Sequence, residues 1–357
     1  MGAIVEIQRD LAAHNIDGLL IETGINLRYV SGFTGTSGAL LLTKTAAFFV
    51  TDFRYTEQAK AEVSGCEFVW QKGALASEVA NLVKKLAIKR LGFEKARLTY
   101  ETYETYQQLL PEVTLVPVAD VVETHRLVKT DAELVIMQKA ADIADAAFAH
   151  IQGFIRPGVT ELAVANELEF FMRKQGATSS SFDMIVASGV RGALPHGVAS
   201  EKEIQAGELV TLDYGAYYQG YCSDMTRTLA VGPVSDQLRN IYETVRVAQQ
   251  LGMDGTKAGI TGQEADRLTR DYIEEKGYGA YFGHSTGHGL GMEVHEAPAL
   301  SSKSTDVVLR PGMVVTIEPG IYVPNVGGVR IEDDIVITDE GNRSLTKSPK
   351  TLIELDV

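Results

Sequence analysis

Residues 209–228, LVTLDYGAYYQGYCSDMTRT, constrain this chain more than any other stretch, because they read as a β-hairpin that carries two aspartates. Val210 and Leu212 alternate with Thr211 and Asp213 before the turn, and Asp224, Thr226 and Thr228 keep the period-two rhythm after it. With a two-residue loop at Tyr218 and Gln219, antiparallel pairing sets Asp213 directly opposite Asp224, their Cβ atoms roughly 5 Å apart on one face. Two ionised carboxylates facing each other in a partly buried site repel, so the fold needs a proton on one of them or a cation between them. A divalent metal is the simplest answer. Taken alone, the hairpin fits a solvated loop with two unrelated acids better, and a three-residue loop would break the pairing. The rest of the chain has to decide.

At 357 residues the chain suits two domains, each with enough apolar content for its own core. The formal charge of -14 supplies no attraction toward nucleic acid or an anionic membrane, so neither is expected as a partner and small substrates are favoured. No run of eighteen apolar residues occurs, Lys44 interrupting even residues 39–50. The N-terminal MGAIVEIQRD lacks the basic and apolar regions of a signal peptide, which points to a soluble, cytoplasmic protein. Cys66 and Cys222 have no CxxC spacing and suggest neither a disulfide framework nor a zinc ribbon. Cys222 lies two residues before Asp224 on the same strand face, where a buried small side chain is the better reading than a ligand.

From the start to about residue 120, short helical and strand signals alternate, which predicts an α/β domain. A helix is expected over 4–14, a strand over 18–21, a hairpin in LLLTKTAAFFVTD and a helix in RYTEQAKAEV. A strand over 68–70, a helix capped by Ser77 and running through Leu86, an extended 90–93, a helix over 102–110 and the strand TLVPVAD complete the unit. GFTGTSG has glycines but neither the spacing nor the Lys of a phosphate loop, so a structural turn is expected. The boundary falls within residues 121–129, giving domains 1–122 and 123–357. There Thr130 opens T-x-x-E with Glu133, a capping box for a long helix. Further helices follow Thr160 through Lys174, Ser235 through about Leu251, and over 262–275. Strands are expected over 183–187, in the 209–228 hairpin, and over 314–323 and 329–338, so the second domain mixes helices with antiparallel strands and is α+β.

His196, His284, His288 and His295 lie among glycines and prolines of this second domain. In GHSTGHGLGMEVHEAP the first two histidines are four apart, yet no Glu follows His284 and the glycines preclude a stable helix, so this is not an HExxH zinc site. A single loop histidine is more often structural than a ligand; three within twelve residues change the balance. In VVTIEPGIYVPNVGGVRIEDDIVIT, Glu318 ends one apolar strand and Glu332 interrupts another. Their midpoint, Asn325, lies in a turn, so a second hairpin brings these acids together too, although Pro319 and Pro324 leave its register open. Arg330 shares a face with Glu332, and a buried Arg–Glu pair is the plain structural reading. Asp333 and Asp334 are read as structural or supporting residues. Four carboxylates at strand positions and one imidazole form an oxygen-rich set whose charge two divalent ions balance. Such a set favours Mn²⁺, with Co²⁺ or Zn²⁺ as alternatives, over a thiolate-type zinc site.

The ordered set Asp213, Asp224, His288, Glu318 and Glu332, within VTLDYG, SDMTRT, GHGLG, TIEPG and VRIEDD, resembles the pita-bread-fold metallopeptidases over essentially the whole chain. The resemblance implies an α+β fold in which a C-terminal, internally duplicated pita-bread (creatinase/aminopeptidase-like) catalytic domain follows a smaller N-terminal α/β domain. It implies that all five residues bind a dinuclear centre, His288 on one metal, Asp213 on the other, Asp224 and Glu332 bridging, and that Glu318 also moves a proton. His196, His284 and His295 are similar to that family's substrate-binding and transition-state-stabilising histidines, and Arg330 to the arginine of its proline-specific members. Methionine aminopeptidases lack this N-terminal domain and the arginine; creatinases lack the ligands. What remains resembles prolidase and aminopeptidase P, which spacing does not separate. The expected activity is hydrolysis of the N-terminal Xaa-Pro bond of dipeptides or short peptides by a metal-bridged hydroxide, in a homodimer. A broader dinuclear hydrolase, acting on phosphoesters or other amides, and a metal-free binding module stand as alternatives.

Overall fold

Strand segments in the first third of the chain are apolar at nearly every position, the pattern of strands covered on both faces. In the structure, a computed structural model describing residues 2–356, they form a six-stranded mixed sheet. Its order is Glu67–Trp70, Ala47–Thr51, Ala39–Thr43, Gly18–Ile21, Arg90–Glu94, Thr114–Val118. Leu19, Ile21, Leu40, Leu42 and Phe49 pack into one helical layer, and Leu20, Leu41, Phe48 and Val50 into the other. That is the alternation a pleated strand imposes, and each fully buried aliphatic side chain stabilises by roughly 1.5–3 kcal/mol.

Two expected helices differ. The first runs Gly2–Asp10 and gives way to turns before His14. The helix assigned to a Ser77 cap runs Leu75–Lys85 with Ala74 at its N-cap and no side-chain cap bond. The Glu78 carboxylate instead accepts the N–H groups of Lys72 and Gly73 and ties down the preceding loop. Helices Gly24–Ser31 and Val121–Arg126 had no clear signal in the sequence. The chain divides into two units between Arg126 and Leu127, so a cut after residue 122 would split the second of these helices.

The second unit is built as two halves of like construction, each a helix pair followed by antiparallel strands. Asp131–Ile151 starts at the Thr130/Glu133 capping box, and Glu161–Lys174 at Thr160. Asp236–Gly255 starts at Ser235, and Gly262–Glu275 at a second capping box, Thr261/Glu264. The first half's sheet orders Glu354–Leu355, Met225–Val231, Leu209–Tyr214 and Ile185–Ser188; the second half's orders Glu296–Leu300, Gly287–Gly289, Val314–Ile317, Asp333–Ile337 and Asn342–Ser344.

The 209–228 hairpin is present in a different register. Its two-residue turn is Gln219–Gly220, both with positive φ, and Tyr218 pairs with Tyr221. Asp213 therefore faces Thr226, and Asp224 lies just outside the strand that begins at Met225. The displacement is by two residues, which keeps both aspartates on one face. The second hairpin keeps the expected register about Asn325: Val323 pairs with Gly327, Gly320 with Arg330 and Ile317 with Asp333. Each of its arms, expected to be one strand, is two. Val314–Ile317 and Gly320–Val323 are interrupted at Glu318–Pro319, and Gly327–Arg330 and Asp333–Ile337 at Ile331–Glu332, because Pro319 has no N–H to give the ladder. Of the four acids, only Asp213 lies within a strand; Asp224, Glu318 and Glu332 lie at breaks.

Candidate metal centre

The two hairpins are sewn together beside these acids. Glu332 N–H donates to Thr226 O (3.1 Å), Thr226 Oγ1 to Glu332 Oε2 (2.6 Å), Asp224 N–H to Asp334 Oδ2 (2.9 Å) and Thr228 Oγ1 to Arg330 O (3.0 Å). Glu318 N–H donates to Thr286 O (2.7 Å) and His288 N–H to Thr316 Oγ1 (3.1 Å), which fixes the short strand Gly287–Gly289 next to Glu318. At the breaks the backbone bonds sideways, and the freed carboxylates turn inward.

His288 Nε2 lies 3.3 Å from Glu318 Oε1 and 3.7 Å from Asp224 Oδ2. Asp224, His288 and Glu332 each offer a ligand atom, all within 4.8 Å of one another. That approaches the span of ligands around one ion with bonds of about 2.1 Å. Asp213 Oδ1, Asp224 Oδ1 and Glu332 Oε1 are buried without a hydrogen-bond partner, a condition that costs about 1–3 kcal/mol per atom or more for charged groups. Burial, and then the neighbouring acids, push Asp224 and Glu332 well above the usual carboxylate range; burial pushes Glu318 up to about 8. The His288 Nδ1 is 3.1 Å from Gly289 O, a group that only accepts, so Nδ1 carries the proton and Nε2 turns its lone pair to the acids. Burial, then His295, lowers His288 to about 4, so it is neutral at pH 7. Acceptors without donors, around a neutral imidazole lone pair, fit divalent cations.

These residues floor a cavity of about 480 Å³ that His196, His284, His295 and Arg330 also line, with Phe182, Ile185 and Val198 as apolar wall. All nine residues singled out from the sequence are thus brought together. The Arg330–Glu332 pair, the plain structural alternative, does not form, because the strand ends at Arg330 and the break re-aims Glu332. Arg330 pairs instead with Asp213, and its other nitrogens donate to Tyr322 Oη (2.7 Å), Pro195 O (3.2 Å) and Thr226 Oγ1 (3.2 Å). His284 Nδ1 lies 2.8 Å from Ser285 O, which leaves Nε2 to accept from Tyr322 Oη at 2.8 Å. Burial, then Arg330, lowers His284 to about 4. The His295 ring centroid is 4.3 Å from that of His288.

Residues 135–339 match the family model for metallopeptidase family M24, and residues 4–128 that for the creatinase/prolidase N-terminal domain. The chain belongs to metallopeptidase family M24. It is 61% identical over 340 residues to the Bacillus subtilis protein called uncharacterized peptidase YqhT, covering 95% of this chain and 96% of that one. It is similar to a solved structure titled Xaa-Pro dipeptidase from Bacillus anthracis (TM-score 0.98, 58% identity, 99% of each chain). It is also similar to X-Pro aminopeptidase from Thermotoga maritima (TM-score 0.90, 38% identity, 97% of this chain and 99% of that one). The second unit thus has the pita-bread fold, and the M24 family implies divalent metal ions in an enzyme that hydrolyses peptide bonds.

Sequence reasoning passed over Tyr322, which joins Arg330 to His284; Asp334, read as structural or supporting, accepts the N–H of Asp224. Tyr322 had a faint signal, since Glu318, Gly320 and Tyr322 are two apart in an apolar run. Asp333 is structural: it receives Arg227 (2.7 Å) and Lys350 (2.5 Å) away from the cavity. Cys222 is buried with Sγ 3.8 Å from Met292 O, and burial pushes its thiol up to about 12.

Proposed function

We propose that this M24 metallopeptidase hydrolyses the N-terminal Xaa-Pro bond of dipeptides or short peptides, with Asp213, Asp224, His288, Glu318 and Glu332 holding two divalent ions. The observation that carries the reading is the convergence of partnerless carboxylate oxygens from Asp213, Asp224 and Glu332 with His288 Nε2 beneath a cavity of about 480 Å³. That volume is within the range of small-ligand pockets, roughly 300–1,000 Å³. An oxygen-rich set with one nitrogen favours Mn²⁺, then Co²⁺ or Zn²⁺. The proteins titled Xaa-Pro dipeptidase and X-Pro aminopeptidase, similar along nearly the whole chain, support the choice of substrate.

Divalent ions held there would supply Lewis acidity and make water a stronger acid. Glu318, at the cavity floor, accepts the proton released and passes it toward the proline nitrogen. His284, with both ring nitrogens bonded, acts through Tyr322 to hold Arg330. Arg330 in turn orients Asp213. His196 and His295 line the cavity, available to orient the peptide and donate to the oxyanion.

The test is turnover of an Xaa-Pro dipeptide, an Xaa-Pro tripeptide and a phosphoester, each with chelator and with added Mn²⁺, Co²⁺ or Zn²⁺. Metal-dependent cleavage of either peptide is expected, and the ratio of the two separates dipeptidase from aminopeptidase. Phosphoester cleavage alone would overturn the proposal. The reading extends to a cytoplasmic homodimer, to be checked by light scattering and cell fractionation; among the described residues no helix is long and apolar enough to cross a membrane.

A further inference from the structure

Glu161 is the first residue of helix Glu161–Lys174 and is 0% exposed, although a buried carboxylate is costly unless fully bonded. Its oxygens are bonded from both ends of one loop. Oε1 accepts Ser188 N–H (2.8 Å) and Ser188 Oγ (2.8 Å), where strand Ile185–Ser188 ends. Oε2 accepts Ser200 N–H (3.2 Å) and Ser200 Oγ (2.6 Å), where the loop returns. Arg191, inside the loop, donates Nη1 to Oε2 (2.7 Å) and Nη2 to Val198 O (2.9 Å), bracing the loop across its width.

The segment so held, 189–199, presents Pro195, His196 and Val198 to the cavity, and Pro195 O accepts from Arg330, the partner of Asp213. Glu161 itself is absent from the cavity lining. The geometry points to Glu161 as a positioning residue: its carboxylate clasps Ser188, Arg191 and Ser200 and thereby sets where His196 stands over the metal ligands. Its activity arm rests on the peptidase reading; its structural arm does not. Glu161→Gln keeps the shape but turns an amide N–H₂ toward donors, which opens one side of the clasp while every ligand and cavity residue keeps its own side chain.

The experiment compares wild type, Glu161→Gln, His196→Ala and the double variant, each metal-loaded, by hydrogen exchange of residues 189–200, elemental analysis and steady-state kinetics on the peptide that wild type cleaves. Expected for Glu161→Gln are faster exchange confined to 189–200, unchanged metal content, and kcat/KM lower by roughly 10- to 100-fold, the loss that misplacement by about 1 Å brings. Little further loss is expected when it is combined with His196→Ala. Ser200→Ala, which removes one bond while Ser200 N–H stays, reads the same quantities if Glu161→Gln does not fold, with a smaller change in the same direction. Unchanged exchange over 189–200, exchange raised throughout the unit, or losses that multiply with those of His196→Ala would overturn the assignment. If wild type cleaves neither peptide, the peptidase reading fails, and the exchange pattern alone decides whether Glu161 holds the loop.

Discussion

Glu318 faces opposing demands: burial pushes its pKa up to about 8, while Arg330 draws it down. Glu318→Gln is expected to lower turnover by roughly 10²- to 10⁴-fold with circular dichroism unchanged; near wild-type turnover after metal saturation would sink the assigned role. Away from the site, Glu22 makes a pH prediction of definite sign. Burial raises its pKa above the ordinary 4.5 and Glu94 adds repulsion, together outweighing the bond from Tyr106 Oη (2.8 Å), which favours the charged form. The folded state therefore binds this proton more tightly than the unfolded, and stability drops as pH rises from 4.5 through the native value. Relative to wild type, Glu22→Gln should gain stability over that window and then level off, as urea melts between acid and neutral pH would record. Single residues were the most legible scale. Asp213, Asp224, His288, Glu318 and Glu332 stood out because acids and imidazole are out of place in apolar or glycine-rich strand segments. Tyr322 and Glu161 did not stand out, since a tyrosine in a strand and a glutamate in a helix's first turn are ordinary until their partners are known.

The first hairpin fixes the spacing of its two aspartates through its turn and its base. Gln219 and Gly220 both take positive φ (47° and 93°), the requirement of a type I′ turn, in which asparagine precedes glycine most readily. Gln219→Asn should therefore raise the unfolding free energy read from urea melts modestly, by a few tenths to about 1 kcal/mol, without changing metal content. At the base, a Cβ on Gly215 would lie 1.7 Å from Ser223 O. Gly215→Ala is expected to cost about 1–3 kcal/mol and, by prising apart the arms that carry Asp213 and Asp224, to lower the metal bound per chain in elemental analysis. Full metal content in that variant would show that the hairpin base does not set the ligands. Periodicity gave these strands and their faces but not their pairing. The turn at Gln219–Gly220 displaces the first register by two residues, and the strand breaks at Glu318 and Glu332 depend on backbone bonds to Thr286 and Thr226, far away in sequence.

Across the molecule, the five proposed ligands belong wholly to the unit after Arg126, and the half-buried Glu22–Glu94 network to the unit before it. Metal binding should thus stabilise the second unit selectively. At 100 times the dissociation constant a ligand adds about 2.7 kcal/mol, and hydrogen exchange should slow in 209–231 and 314–337 with little change in 18–94. Equal slowing in both units would argue that metal acts elsewhere.

The order of elements and the faces of strands follow from local chemistry: capping residues start helices, glycines permit turns, and period-two alternation separates core from cavity. The sequence by itself therefore determined two domains, an α+β second unit and the residue types able to hold cations. Which atoms meet was decided only by the tertiary structure. Arg330 joins Asp213 rather than Glu332, Asp213 faces Thr226, and Glu161 fastens the loop of His196. Such contacts arise from strand pairing and side-chain burial between segments distant along the chain, where a displacement by one or two residues costs little locally and changes every partner.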